Sequence, residues 1–282
     1  MPLVSALGEL KKAQEGGYAV PCFDTFEMLG TQGILAALEG RRAPGIIGLY
    51  TRLMAEPHGR AMTQFVRVMA EEATVPVSIM LDHGASLEHC VRALTFGFTD
   101  VMYDGSKLPL AENIAATRQI VQAAHAVGAA VEAELGHVGS GSEYREFGAR
   151  GQGFTDPAAV ERFVAETGVD ALAVAIGTAH GEYVGEPRLD LDLLAEIRRR
   201  VGIPLVLHGG SGLSDAQFQA AIRGGVAKIN IFTNLALEAV RRVARHTATE
   251  RPSFRDITDP IREAFQDECM RFLDVFGASG RG

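Results

Sequence analysis

Short apolar runs alternate with amphipathic stretches along the whole chain. The runs are bounded by Gly, Pro or Asp and are almost continuously apolar, which is typical of parallel strands covered on both faces. We predict eight strands, at Ala19–Phe23, Pro44–Leu49, Val75–Leu81, Thr99–Met102, Ala130–Leu135, Ala171–Ile176, Ile203–Leu207 and Ala227–Ile231. The stretches between them have apolar residues at helical spacing. The pattern predicts an α/β fold in which eight βα units close into a single (β/α)8 TIM barrel.

The length of the chain sets the expected number of domains. Its 282 residues lie within the range that α/β barrels occupy as one unit. Hydrophobic residues make up 47% of the chain, which is enough for one large core and is unlike the composition of disordered proteins. We therefore expect one catalytic domain over residues 1–282.

The charge and the cysteine content limit which cellular compartment and which binding partners we expect. A formal net charge of −8 argues against binding to nucleic acid or to an anionic membrane, so a small metabolite is the expected partner. The three cysteines are an odd number without CxxC spacing, which predicts neither a disulfide framework nor a cysteine zinc site. The N-terminus lacks a signal-peptide pattern, and no run of eighteen apolar residues occurs. We expect a cytoplasmic protein without a membrane span.

Polar residues follow the predicted strands, where a barrel of this type places its active site. The C-terminal ends of the strands offer Asp24, Tyr50, Thr51, Asp82, His83, Asp104, Glu132, Glu134, His180, His208, Ser211, Asn230 and Thr233. Every strand contributes to this set. The barrel is therefore predicted to have its active site at this face.

Three histidines follow the third, sixth and seventh strands and can converge. His83, His180 and His208 would form a zinc site with a fourth position open to water or substrate, as in catalytic zinc sites, and Glu134 could occupy that position at rest. Any one of them alone could simply hydrogen-bond a loop. That is the interpretation we give to the other five histidines, His58, His89, His125, His137 and His246.

Three carboxylates near the predicted zinc site have candidate roles. Asp82 ends an apolar strand, where a carboxylate is costly to bury without a partner or a task, so it is our candidate for acid–base chemistry. The alternative is that Asp82 orients a zinc-bound imidazole. Asp104 and Glu132 are better candidates for that orienting role.

A glycine-rich turn follows the seventh strand. His208-Gly-Gly-Ser-Gly leads into a helix predicted to begin at Ser214, and such a turn offers backbone N–H groups to a phosphate. Barrels often bind phosphate with the loops after strands seven and eight, and Lys228-Ile-Asn-Ile-Phe-Thr supplies the eighth. We expect a phosphate-binding site there.

Five motifs together resemble the class II fructose-bisphosphate and tagatose-bisphosphate aldolase family. They are LDHG (Leu81–Gly84), EAELG (Glu132–Gly136), AVAIGTAHG (Ala173–Gly181), LVLHGGSG (Leu205–Gly212) and KIN (Lys228–Asn230), and the C-terminal FGASGRG is also similar. The resemblance implies a carbon–carbon lyase of carbohydrate metabolism and glycolysis, with zinc on His83, His180 and His208 and with Asp82 as the acid–base residue. Zinc would stabilise the ene-diolate of the ketone half.

The resemblance also implies a substrate and an assembly. Fructose 1,6-bisphosphate or tagatose 1,6-bisphosphate is the default substrate, and cleavage would give dihydroxyacetone phosphate and an aldehyde. The phosphate of the ketone half would lie against Gly181, Gly209, Ser211, Asn230 and Thr233. A monovalent cation near the phosphate and a homodimer or homotetramer are typical of the family. Its ene-diolate is protonated by a glutamate on the loop after strand five.

This sequence departs from the family at positions that would contact substrate. In the loop Gly136–Phe154, Ser142 replaces the usual glutamate, so Glu143 becomes the candidate. Asp24 stands where asparagine is usual, and Tyr50-Thr51 stands where a small hydroxyl residue is common. Phe232 and Asn234 follow strand eight where relatives often have small or acidic residues. These changes leave open a different ketose phosphate, in which Arg52, Arg255 or Arg262 could bind a distal anion.

Two other functions remain open at this stage. Lys228 could form a Schiff base with a ketone substrate, although this would leave the three histidines unexplained. The chain could also be a sugar-phosphate-binding or assembly subunit without turnover, because the loop glutamate is displaced. Retention of Asp82 and the histidines favours an active aldolase over either alternative.

Overall fold

A computed structural model describes residues 2–140, 153–183, 185–249 and 251–282. Its sheet is a closed barrel of eight parallel strands in sequential order, in which the first strand pairs with the eighth. The strands are β1 (Val20–Asp24), β2 (Gly45–Tyr50), β3 (Val77–Gly84), β4 (Asp100–Tyr103), β5 (Ala130–Leu135), β6 (Ala171–Val174), β7 (Leu205–Leu207) and β8 (Val226–Ile231). The predicted fold class is confirmed.

Helices surround the barrel and alternate with its strands. Within the described ranges they are α1 (Ala6–Gly16), α2 (Met28–Arg41), α3 (Gly59–Glu72), α4 (Leu87–Phe96), α5 (Leu110–His125), α6 (Pro157–Thr167), α7 (Leu191–Arg200), α8 (Asp215–Arg223), α9 (Thr233–Thr247) and α10 (Arg255–Val275), with a 3-10 helix at Thr51–Ala55. The local sequence determines where several helices begin. Asp156 caps α6, and Ser214 with Gln217 forms a capping box on α8.

Only β5 has its predicted bounds; the other strands are shifted by one to three residues at one or both ends, and the differences in β3 and β7 have an evident physical reason. β3 continues through Gly84 with a register shift against β4, and His83 within it has a positive φ of 50°, which is uncommon for a residue other than glycine. β7 begins only at Leu205, because Pro204 has no N–H to donate to a neighbouring strand. The irregular end of β3 turns the His83 side chain toward the barrel mouth.

The N-terminal segment closes the opposite end of the barrel. Asp100, at the start of β4, is fully buried and accepts hydrogen bonds from the Ser5 hydroxyl and from the backbone N–H of Ala6 at 2.9 Å. Ser5 in turn caps α1, accepting from the N–H of Leu7. The open end of the barrel is therefore the face formed by the C-terminal ends of the strands. No helix in the described ranges is both long and apolar enough to cross a membrane.

Candidate active site

A cavity of about 900 Å³ opens at the C-terminal ends of the strands. Its lining includes most of the polar residues selected from the sequence: Asp24, Tyr50, Asp82, His83, Asp104, His180, Gly181, His208, Gly209, Ser211, Asn230 and Thr233. Glu132 and Glu134 are buried in the barrel interior, next to residues of this lining. The structure thus brings these residues to one face.

The three candidate zinc ligands converge in this cavity. The Nε2 atoms of His83 and His180 are 3.1 Å apart, and one nitrogen from each of His83, His180 and His208 lies within 4.8 Å of the others. A zinc ion bonded to two imidazoles at about 2.0–2.1 Å keeps their nitrogens at a similar separation. The spacing therefore suits one ion.

A hydrogen-bond acceptor holds the outer nitrogen of each imidazole. His83 Nδ1 lies 2.9 Å from Asp104 Oδ2, His180 Nδ1 lies 3.1 Å from the Val138 carbonyl, and His208 Nε2 lies 2.7 Å from Glu132 Oε1. Because each acceptor takes a ring N–H, the inner nitrogen of each ring is the one that can face a metal ion.

The buried Nδ1 atom of His208 has no hydrogen-bond partner among the described residues. It is the inner nitrogen of that ring, since Glu132 accepts from Nε2. A buried polar atom without a partner is costly, and a metal ion at this point would provide one. The three imidazoles therefore suit a soft or borderline divalent metal such as zinc. A purely structural role would leave the buried Nδ1 atom of His208 without a partner.

The pKa values of the imidazoles follow from burial and neighbouring charge. Burial lowers the pKa of His83, but the carboxylates of Asp82 and Asp104 outweigh it and raise that pKa to about 10. Burial and the positive charge on His83 lower the pKa of His180 to about 3. A metal must displace the proton of His83, so metal binding competes with protons and weakens as pH falls.

Glu134 lies beside the cluster and could approach the same ion. It is fully buried, its Oε1 accepts from the N–H of Val138 at 3.0 Å, and one of its oxygens falls within 4.8 Å of His83 and Asp104 ligand atoms. Burial, followed by the charge of Asp104, raises the pKa of Glu134 to about 8. A nearby cation would favour its ionised form.

Lys228 does not have the environment of a Schiff-base lysine. Its side chain is fully buried, and Nζ lies 2.8 Å from Glu132 Oε2. Burial lowers the pKa of Lys228, but Glu132 outweighs it and the net shift is upward. A nucleophilic amine needs a lowered pKa and access to substrate. The structure therefore gives no support to the Schiff-base alternative.

Asp82 is buried and lies between the histidines and β8. Its Oδ1 accepts a hydrogen bond from Asn230 Nδ2 at 2.8 Å, and its Oδ2 is 4.0 Å from His83 Nε2. The hydrogen bond engages one oxygen of the carboxylate. Asp82 lines the cavity, so it can also meet a hydroxyl of a bound substrate.

The glycine turn after β7 approaches the loop after β6 very closely. Gly209 has a φ of +68°, and a Cβ there would lie 2.4 Å from the Ala179 carbonyl oxygen. Tyr183, which the sequence analysis missed, joins the two loops: its hydroxyl donates to the Gly209 carbonyl at 2.6 Å and accepts from the Ala179 N–H at 2.8 Å. Ser211 is buried in this turn, and Thr233 begins α9 opposite it. Only the tertiary contact between these loops shows the role of Tyr183.

Other residues in the lining were not selected from the sequence. His58 and His137 both line the cavity, although we had read them as ordinary loop histidines. His137 Nδ1 lies 3.0 Å from the Ser106 hydroxyl, which donates to Asp104 Oδ1 at 2.6 Å. The position of His137 two residues after β5 was the available signal. Of the three arginines that the sequence offered for a distal anion, Arg52 lines the cavity, whereas Arg255 and Arg262 belong to α10 and are not among the lining residues.

Aromatic residues form the rim on the side of β1, β2 and β8. Phe26 and Phe232 make an edge-to-face contact with ring centroids 5.7 Å apart, and Tyr50 is 52% exposed. Asp24 lies inside this rim, in the space left by Gly48, where a Cβ would be 1.7 Å from Asp24 Oδ1. Burial, and then the charge of Asp82, raise the pKa of Asp24, which favours its hydrogen-bond-donating form.

The candidate Glu143 lies outside the described residues, as does most of the loop Gly136–Phe154. The structure describes the beginning of this loop. Val138, Gly139 and Ser140 line the cavity, and the N–H of His180 donates to the Gly139 carbonyl at 2.8 Å. The described part of the loop therefore ends beside a candidate metal ligand.

An eight-stranded barrel whose open end brings together three imidazoles and a carboxylate that could hold a metal ion is typical of metal-dependent barrel enzymes. A family profile described as "Fructose-bisphosphate aldolase class-II" matches residues 4–281. The chain belongs to this class II aldolase family, whose members are lyases and are generally zinc-dependent. The family predicted from the motifs is thereby confirmed.

Individual relatives match over their full length. A probable fructose-bisphosphate aldolase of Bacillus subtilis is 40% identical over 292 residues, covering 100% of both chains. The fructose-bisphosphate aldolase of Geobacillus stearothermophilus is 40% identical over 289 residues, covering 100% of this chain and 99% of the relative. The crystal structure of the YdjI aldolase from Escherichia coli K12 superposes with a TM-score of 0.89 at 34% identity, covering 99% of each chain.

Proposed function

We propose that this aldolase reversibly cleaves a ketose phosphate into dihydroxyacetone phosphate and an aldehyde, with one zinc ion on His83, His180 and His208. The observation that carries the proposal is the convergence of three imidazole nitrogens beside a buried carboxylate. Fructose 1,6-bisphosphate and tagatose 1,6-bisphosphate are the first candidate substrates, because relatives covering the full chain are named fructose-bisphosphate aldolases.

In this proposal, one carboxylate accepts the substrate proton at the bond that breaks, and other carboxylates orient the metal ligands. Asp82 takes the proton from the substrate hydroxyl beyond that bond, while Asn230 holds its other oxygen. Zinc, when bound, supplies Lewis-acid stabilisation of the negative charge that develops on the ketone half. Asp104 and Glu132 orient His83 and His208, and Glu134, whose carboxylate lies near His83 and Asp104, is the proposed further ligand when no substrate is present.

The ketone phosphate is proposed to bind between the loops after β6, β7 and β8. Gly181, Gly209 and Ser211 line this side of the cavity together with Asn230 and Thr233. Thr233 is the first residue of α9, where N–H groups lack partners within the helix and attract anions. A monovalent cation beside the phosphate, as the family resemblance implies, would further reduce its charge. Protonation of the ketone half is assigned to Glu143.

The aldehyde half is proposed to lie against the aromatic rim. Asp24 and Tyr50 face this part of the cavity, together with Phe26 and Phe232. In the proposal, the scissile bond lies at Asp82. Asp82 accepts a hydrogen bond from Asn230 on β8, so this bond lies next to β8, and Phe232 directly follows that strand. The rim therefore meets the part of the substrate that leaves as an aldehyde.

Phe232→Ala is expected to lower kcat/KM for ketose phosphate cleavage by about 10-fold, mainly through a higher KM, because the substrate loses apolar contact worth about 1–3 kcal/mol. The inhibition constant of dihydroxyacetone phosphate should not change. Phe254→Ala is the matched control, since Phe254 is 78% exposed and not among the cavity-lining residues. An equal loss of affinity for dihydroxyacetone phosphate would contradict this placement of the aldehyde half.

A panel assay tests the proposed function. Cleavage of fructose 1,6-bisphosphate, tagatose 1,6-bisphosphate and fructose 1-phosphate is measured before chelation, after chelation and after zinc is restored. We expect activity on at least one substrate that is lost with the metal and returns with zinc. Activity that is insensitive to chelation would contradict the metal assignment. Bound zinc without any cleavage would favour a sugar-phosphate-binding or assembly subunit.

Oligomeric state and compartment belong to the proposal as well. We infer a homodimer or homotetramer from the family, and sedimentation of the purified protein would measure it. The three cysteines are free and buried, which supports the expectation of a reducing cytoplasm.

A further inference from the structure

A line of polar contacts in the barrel interior connects a candidate metal ligand to the candidate acid–base residue. His208 Nε2 lies 2.7 Å from Glu132 Oε1, and Glu132 Oε2 lies 2.8 Å from Lys228 Nζ. Lys228 Nζ donates to Asn230 Oδ1 at 2.8 Å, and Asn230 Nδ2 donates to Asp82 Oδ1 at 2.8 Å. Lys228 and Glu132 are at most 1% exposed, and they are in contact with each other.

The chemistry of the two outer groups fixes the orientation of the Asn230 amide. An ammonium can only donate hydrogen bonds and a carboxylate can only accept them. Asn230 must therefore turn its oxygen to Lys228 and its nitrogen to Asp82. Lys228 and Asn230 are two residues apart on β8, so their side chains point to the same face of the strand.

We propose that Lys228 is a positioning residue for the aldol reaction: it locks the Asn230 side-chain amide so that Nδ2 faces Asp82. This lock keeps Asp82 Oδ1 occupied and presents the other oxygen of Asp82 to the substrate hydroxyl. Without the ammonium, only the Asp82 carboxylate still favours this orientation, and the amide is held from one side instead of two. The inference rests on the proposed function, since it concerns the same reaction.

A double-mutant cycle in the zinc-loaded enzyme tests this role. Lys228→Met is expected to lower kcat by about 10–100-fold with less than about 3-fold change in KM, because it perturbs orientation and not substrate contact. In an Asn230→Ala background the same substitution should cost no more than about 2-fold, since the amide through which Lys228 acts is already gone. Equal losses in both backgrounds would overturn the proposal.

A second variant separates positioning from folding. Lys228→Met leaves the charge of Glu132 buried without its partner, which is destabilising. The double variant Lys228→Met/Glu132→Gln removes both charges and keeps an acceptor for His208. We expect its melting temperature to recover toward that of the wild type while its kcat stays below that of Glu132→Gln alone, the variant that alters the partner of His208 without removing Lys228. Recovery of full kcat together with stability would show that Lys228 is merely structural.

Hydrogen exchange of the Asn230 side-chain amide gives a readout that needs no turnover. In the metal-free protein, nuclear magnetic resonance should show this exchange at least about 10-fold faster in Lys228→Met than in wild type, because the amide is no longer held. Lys12→Met is the control, since Lys12 is exposed on α1 and pairs only with Glu9. Unchanged exchange in Lys228→Met would overturn the proposal. Absence of cleavage by wild-type enzyme would instead refute the proposed function and leave this measurement valid.

Discussion

Asp82→Asn is expected to lower kcat for aldol cleavage by about 10³-fold while zinc stays bound, because asparagine cannot take the proton of the substrate hydroxyl. The asparagine side chain has nearly the same shape and can still accept from Asn230, so the cavity should keep its geometry. The measurement is kcat together with the zinc content of the purified variant. KM should change much less than kcat.

Asp100→Asn is the matched control for this prediction. Asp100 is as deeply buried as Asp82, but it lies at the closed end of the barrel, where it accepts from Ser5 and Ala6. Its replacement should lower the melting temperature and leave kcat nearly unchanged. If Asp82→Asn retained kcat within about 3-fold of wild type, Asp82 would not be the acid–base residue.

His180→Ala is expected to weaken zinc binding by more than about 100-fold, beyond the 10–100-fold typical of losing only a hydrogen-bond partner of a ligand. The remaining nitrogens of His83 and His208 cannot complete the site. Zinc content after dialysis against a competing chelator measures the affinity, and cleavage activity should fall in parallel. Both readouts should respond because the same ion stabilises the developing charge.

His125→Ala is the control for the metal prediction. His125 lies at the end of α5 and contacts Asp170 at 2.8 Å, on a part of the chain that does not line the cavity. This variant should retain zinc and activity. If His180→Ala bound zinc as tightly as His125→Ala does, the assignment of His180 as a ligand would be wrong.

The strand pattern was sufficient to predict the barrel, because eight apolar runs separated by helical stretches have few other arrangements. The sequence predicted the first and last residues of the strands less accurately. The register shift of β3 against β4 and the positive φ of His83 are features of the strand pairing, which the apolar pattern of one strand does not predict. The late start of β7 was foreseeable from Pro204, which removes a donor from the sheet.

The sequence also pointed to most of the cavity, since residues after parallel strands meet at one end of a barrel. It suggested which carboxylates could orient the histidines. Only the interatomic distances in the structure show that Asp104 pairs with His83 and Glu132 with His208. His58 and Tyr183 were missed, because only folding brings their loops to the cavity, whereas His137 could have been selected from its position just after β5.

By itself, the sequence determined the fold class, the family and the set of chemically active side chains, because periodicity, residue type and motif order are local properties. Only the tertiary structure decided which imidazole nitrogen is left for a metal, and that Lys228 is an ion-paired interior group unsuited to a Schiff base. Both depend on hydrogen-bond partners far away in the chain. A side chain's protonation and orientation are set by the groups that surround it in space.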